Sequence, residues 1–266
     1  MPTIRNIFLL HESGLDPLAP HIQAAVSEMM DCFPEYKDDY PITMLGNWRS
    51  QKYAYTNQRG NTVLRPYESV DWYIESARMA AVHEGRWQTR RQISATQLCS
   101  DLTDDPYREQ IPQWSVLITK NDLYGHTVDQ FGRTQRLNYC LGISYENQFS
   151  IISIARFLDE QKRLNIEGFK TVIMHEFGHL IGLTKEGRAH TEEKLGCHCS
   201  NDGCIMQQRM DGDFTELTKV RLAAKRFYGL PPICGDCIDE GKKFFARQRM
   251  AYNLAHGRDM RDDYQR

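Results

Sequence analysis

Two histidines four residues apart with a glutamate behind the first, His175, Glu176 and His179, are the residues of this chain best suited to chemistry. They lie in the stretch TVIMHEFGHLIGL, residues 171–183. On a helix, positions four apart share one face, so both imidazoles project side by side and can share one zinc ion. Glu176 is rotated by about 100° from His175, which sets its carboxylate beside such an ion, where it can take a proton from an activated water. Val172, Ile173, Leu180 and Ile181 supply the apolar anchor of that helix, and Gly182 permits the left-handed turn that ends it. An ordinary buried helix with hydrogen-bonded histidines would need no carboxylate at that place. A third ligand has to come from further along the chain.

A second constellation follows: Cys197-His198-Cys199, then Cys204, Met206, and later Cys234 and Cys237. Cys199 and Cys204 form a C-x4-C pair and Cys234 and Cys237 a C-x2-C pair, spacings from which four thiolates converge tetrahedrally on one structural zinc. Two close pairs bracketing one helix argue against the competing readings, free buried cysteines plus an incidental CxxC, or a redox dithiol. Cys32, Cys99 and Cys140 stand alone in the sequence and read as core residues.

The elements that must position these residues are legible from periodicity. Residues 3–10 read as a strand, 19–33 as an amphipathic helix with Ile22, Val26, Met29 and Met30 on its apolar side, and 42–45 as a second strand. The polar and aromatic stretch 47–65 has no period and reads as a loop or irregular hairpin. Residues 68–83 and 88–102 look helical, 114–119 is a strongly apolar strand, and 121–125 reads as a turn. A strand is expected over 137–145. The apolar segment 149–158 fits strand or helix equally. Residues 184–196 are polar, with two glycines, and read as a surface loop; 215–228 returns to helical period before Gly229, Leu230, Pro231 and Pro232.

With 266 residues the chain is long enough to bury a sizeable core. We expect one domain over 1–237, with the active-site and four-cysteine region at 168–237, and a charged helical tail over 238–266. A hydrophobic content of 41% with 26% charged residues is that of an ordinary globular protein, which argues against wholesale disorder and against a membrane protein. A formal charge of −2 gives no electrostatic footprint for nucleic acid or for a membrane surface, and the basic residues of the tail are offset by Asp259, Asp262 and Asp263. The first residues carry only a short apolar run, 7–10, followed at once by His11 and Glu12, so no export signal is expected. A cytoplasmic, reducing setting favours metal ligation over disulfides for the eight cysteines.

Taken together, the order His175-Glu176, His179, Gly182, His198-Cys199, Cys204, Met206, Cys234 and Cys237 resembles the archaemetzincins, or archaelysins, a branch of the metzincin metallopeptidases. Their pattern is HExxHxxGxxHC, then x4-C-x-M and a later CxxC. The resemblance extends through 114–124 and 137–157, and so covers about the C-terminal half. It implies an α+β, metzincin-like zincin domain with a mixed twisted sheet, and hydrolysis of peptide bonds in a peptide or protein substrate. His175, His179 and His198 would bind a catalytic zinc with Glu176 as general base, and Cys199, Cys204, Cys234 and Cys237 a structural one. Met206 would form the floor called the Met-turn, and an edge strand near 137–145 would pair with extended substrate. Three neutral histidines leave one zinc position open, whereas four thiolates close theirs.

This chain departs from the family pattern at Lys185, which holds the place of the third histidine, and in the fourteen residues that separate Leu183 from His198. An ammonium at neutral pH has no lone pair to offer, so Lys185 is a poor ligand. His190 lies in a polar stretch whose ordering costs about 1–2 kcal/mol per residue. His198 is covalently next to Cys199, whose own ion would already hold the backbone, so His198 is the expected third ligand. The alternative function is a zinc-braced protein, impaired in catalysis, that binds a peptide or protein.

Overall fold

The computed structural model describes residues 3–47, 53–56, 62–65, 69–105, 111–128, 134–185, 187–192, 197–208 and 215–257. Strand β1 (Asn6–His11) sends Ile7 and Leu9 into one apolar cluster and Leu10 into a second, the alternation that a strand buried on both faces requires. Helix α1 (Ala19–Met30) buries Ile22, Ala25, Val26, Met29 and Met30, the expected stripe. Strand β2 (Ile42–Gly46) runs parallel to β1. The aperiodic stretch after it contains an antiparallel hairpin, β3 (Tyr53–Thr56) and β4 (Thr62–Arg65). Helix α2 (Val70–His83) follows.

The single helix expected over 88–102 is instead two helices around a strand: α3 (Arg86–Arg90), β5 (Gln92–Ser94) and α4 (Ala95–Thr103). Arg91 adopts φ 54°, which stops the first helix, and the Ser94 hydroxyl accepts from the Gln97 backbone N–H at 3.2 Å, which starts the second. Ile93 between them pairs with Leu123 across strands, a contact that local propensity does not contain.

Strand β6 (Gln113–Thr119) is buried at every residue, with Trp114, Val116 and Ile118 in the first cluster and Leu117 in the second. Residues 121–125 do not form the expected turn. They belong largely to β7 (Asp122–Val128), which pairs antiparallel with β8 (Thr134–Cys140) and parallel with β5. The single strand expected over 137–145 is likewise divided: β8 ends at Cys140, and β9 (Gly142–Tyr145) joins a different sheet, antiparallel to β10 (Phe149–Ser153). The change of sheet falls at Leu141, whose carbonyl accepts from the Ser153 N–H at 2.8 Å. Beyond β10 a short 3-10 turn spans Ala155–Phe157, so the segment that fitted strand or helix is strand first.

The main sheet has the order β2-β1-β6-β10-β9, parallel except for the antiparallel edge strand β9; a smaller sheet has the order β5-β7-β8. One face of the main sheet is covered through the cluster that includes α1, the other through that of α2 and α4, as parallel strands buried on both faces demand.

Helix α5 (Ile166–Leu180) packs on the α1 side. Asn165 caps it, accepting from the Gly168 N–H at 3.0 Å. Gly182 at φ +68° ends it: its N–H donates to the His179 carbonyl and that of Leu183 to the Gly178 carbonyl, both at 3.0 Å, a Schellman closure. A two-residue ladder joins β11 (Thr191–Glu192) to β12 (His198–Cys199). Helix α6 (Thr215–Tyr228) stops at Gly229, and α7 (Gly235–Ala255) starts directly after Cys234. Phe244 and Phe245 of α7 lie against Trp114, with ring centroids at 5.8 and 6.1 Å, which ties this helix to the main core. No helix among the described residues is long and apolar enough to cross a membrane.

Candidate active site and metal centres

Helix α5 places His175 and His179 on one face with ring centroids 4.8 Å apart, and β12 brings His198 to 5.2 Å from the first and 4.9 Å from the second. One nitrogen of each ring lies within 4.8 Å of the others. The Nε2 atoms of His175 and His179 are 3.2 Å apart. The His175 Nδ1–H donates to the Ile205 carbonyl at 2.7 Å, which leaves the lone pair on Nε2 aimed at the centre of the group. Burial holds His175 down at about 4 and His179 well below the usual range, so both rings are neutral at pH 7 and have lone pairs to give. The three-histidine set thus fits a tripod for one metal with a position to spare. His190 is exposed, and neither it nor Lys185 joins this group.

Glu176 sits at the same level of the cleft, 8% exposed. Burial pushes its carboxyl up to about 7, with a hydrogen bond from Ser144 pulling the other way. The Ser144 hydroxyl is 2.7 Å from Glu176 Oε2 and 2.9 Å from the Glu176 carbonyl, and the Ser150 hydroxyl lies 3.0 Å from that carbonyl. Ser144 and Ser150 are cross-strand partners in β9 and β10, so the edge of the main sheet cradles the carboxylate. The fit is close: a Cβ at Gly142 would come within 2.6 Å of the Glu176 side chain. These groups form the floor of a cleft of about 650 Å³, with β9 along one wall.

Beneath α5, Met206 presses into the space where Gly178 lacks a side chain; a Cβ there would stand 2.3 Å from the Met206 sulfur. Met206 and its neighbours serve both clusters. Ile205 orients His175, the Met206 carbonyl accepts from the Cys199 N–H at 2.8 Å, and Cys204 belongs to the sulfur cluster.

Cys199, Cys204, Cys234 and Cys237 bring their sulfurs within 4.8 Å of one another, with 3.7 Å between Cys199 and Cys234 and between Cys204 and Cys237. A disulfide is about 2.05 Å long. The edge of a tetrahedron with zinc–sulfur distances of about 2.3 Å is roughly 3.8 Å, so the observed spacing fits a shared ion. Donors already point at the sulfurs: Asn201 Nδ2 at 3.3 Å from Cys234 and Arg188 Nη1 at 3.3 Å from Cys237. Hydrogen bonds among the sulfurs split the four, holding the Cys199 thiol far below its ordinary value and Cys234 down to about 6 while Cys204 and Cys237 are raised. Cys197, two residues before Cys199, stays outside this set and lines the cleft instead. At the isolated Cys32 and Cys99 burial alone leads, and it pushes both thiols up to about 12.

Sequence reasoning missed Ser144, Gly142, the Ile205 carbonyl and the buried Arg221 of α6, which donates to Thr171 and Glu167 of α5 and to Glu28 of α1. All are non-local partners. Only the Gly and Ser of GISY, residues 142–145, stood as a signal, and that stretch reads equally well as plain strand.

Residues 114–220 match the family described as reprolysin (M12B) family zinc metalloprotease; the match takes in all three histidines and Cys199 and Cys204 but stops short of Cys234 and Cys237. Family match and site together support a zinc metallopeptidase. The architecture is archaemetzincin-like. It is similar to the crystal structure of archaemetzincin from Methanopyrus kandleri, with a TM-score of 0.52 and 16% identity over 91% of this chain and 96% of that one. No curated protein matches the sequence.

Proposed function

We propose that the chain hydrolyses peptide bonds at the His175–His179–His198 group with Glu176 as general base, and that it holds two zinc ions of unequal role. The observation that carries this reading is a buried carboxylate set beside three converging imidazoles at the floor of an open cleft. Zinc supplies Lewis-acid polarisation of the scissile carbonyl and makes water nucleophilic near neutral pH. The three imidazoles hold it, and the Ile205 carbonyl keeps His175 in the tautomer that faces inward. Glu176 has Oε2 engaged by Ser144, so Oε1 is the atom free to take the proton of the attacking water and then pass it to the leaving amine. Edge strand β9 offers an extended peptide a backbone to pair with, which makes a peptide or protein the substrate. The four cysteines hold the second ion in a closed, structural site.

Replacing Glu176 with Gln keeps size and helix propensity while removing the base. General-base catalysis contributes about 10²- to 10⁴-fold, so Glu176→Gln should retain its metal and its fold and lose peptide-library hydrolysis by at least that factor. Equal activity in wild type and variant would sink the enzyme reading in favour of a peptide-binding protein.

A further inference from the structure

The segment that separates His179 from His198 is fastened at both ends. Glu240, on α7, accepts from the backbone N–H of Thr184 at 2.7 Å and of Lys185 at 3.0 Å, and from Arg188 Nη1 at 2.8 Å. Its ion pair with Arg188 is largely withdrawn from water, the two side chains being 12% and 15% exposed. Glu240 stands one turn beyond Cys237 on the same helix, and Arg188 reaches the Cys237 sulfur as well. The start of the segment is therefore gripped by the helix that carries Cys237 and begins directly after Cys234.

Thr184 carries the grip across. It is 2% exposed and has φ +62°, an outlying conformation for a β-branched residue that persists only where neighbours over-determine it. Held so, its hydroxyl lies 2.7 Å from the Cys197 carbonyl and 2.6 Å from the Leu183 carbonyl, a donor shared between the two feet of the segment, and 3.5 Å from His179 Nδ1. The residue after Cys197 is His198.

We propose that Glu240 and Thr184 are positioning residues for the three-histidine site: Glu240 fixes the Thr184 backbone, and the Thr184 hydroxyl ties the start of the segment to Cys197, which sets His198 against His175 and His179. The inference rests on the reading of those histidines as a metal site. It adds that the third ligand is placed by the feet of the segment and by α7, acting together with the β11–β12 ladder.

The test uses full-length, zinc-loaded protein and chelator competition followed by metal content. In Glu240→Ala and Thr184→Val, the ion held by the histidines should become about 10- to 100-fold easier to remove, the effect typical of partners that orient metal ligands, while the other ion stays. Thr184→Ser keeps the hydroxyl and should restore wild-type resistance, a rescue that a merely packing role for the methyl group would not give. Amide exchange at Cys197 and His198 should rise in the Val variant and not in the Ser variant. Thr184→Val leaves the Glu240–Arg188 pair in place and carries the test alone should loss of Glu240 unfold the chain. Wild-type chelator resistance in a folded Thr184→Val protein would overturn the proposal. His198→Ala separates the two layers: if that variant keeps its full metal content, the histidine reading itself is what fails.

Discussion

The imidazole cluster and the sulfur cluster are built from adjacent residues of one two-residue strand, His198 and Cys199, yet they stand in opposite surroundings. The imidazoles open on a cleft and have three ligand atoms, whereas the sulfurs have four and are closed in, with Cys199, Cys204 and Cys237 at most 2% exposed. An open tripod has no stiffness of its own in the direction of its missing ligand. A closed tetrahedron has it in every direction. The difference teaches how a small ladder can serve a reactive centre: alternate side chains of β12 point apart, so rigidity made on one side of the backbone is delivered to the other.

The largest effect should come from breaking the closed cluster. A structural zinc contributes an apparent 10–16 kcal/mol or so, as much as the roughly 5–15 kcal/mol that holds a typical domain together. Cys237→Ser should therefore give unfolded or insoluble protein by circular dichroism and sedimentation. A well-folded variant with one zinc and full activity would dissolve the contrast between the clusters. The next effect is on the open side, where His198→Ala should lose or weaken one metal equivalent by elemental analysis and lose hydrolysis, with the fold retained, while His190→Ala keeps both equivalents. The reverse outcome would make residues 184–197 the source of the ligand.

Smaller effects sharpen the same comparison. Gly178→Ala puts a methyl group against the Met206 sulfur, and overpacking of this kind destabilises by about 1–3 kcal/mol, read as a melting temperature lower by several degrees. Since Met206 follows Cys204 by two residues, an unchanged melting temperature would show that the turn yields more easily than its anchorage suggests. Ser144→Ala touches only the reactive side. A hydrogen bond to a charged group is worth about 1.5–3 kcal/mol, so kcat should fall roughly tenfold or more with melting temperature and metal content unchanged. A proportional loss of metal would mean that Ser144 acts on the cluster as a whole and not on Glu176.

Much of this was readable in one dimension. The spacing of His175, Glu176 and His179 and the two cysteine pairs are local patterns, and α1, α5, β1 and β6 carry their own periodicity. His198 could be preferred to His190 because covalent attachment to Cys199 is a local fact. What could not be read depends on partners distant in sequence. Ile93 breaks the helix expected over 88–102 because Leu123 lies opposite it, and residues 137–145 divide because their two halves pair with different strands. Ser144, Glu240 and Arg221 look like ordinary polar residues until α5, α7 and β9 are brought together.

The tie between Thr184 and Cys197 has a consequence for the history of the chain. When both feet of a loop are pinned by groups outside it, its length becomes nearly free: each doubling adds only about 0.6 kcal/mol of closure entropy. Insertions and deletions between those feet that spare Arg188 and the β11–β12 pairing are then close to neutral, so lineages can drift in length there and keep the same chemistry. That is also the natural place for an engineer to splice in a recognition module beside the cleft.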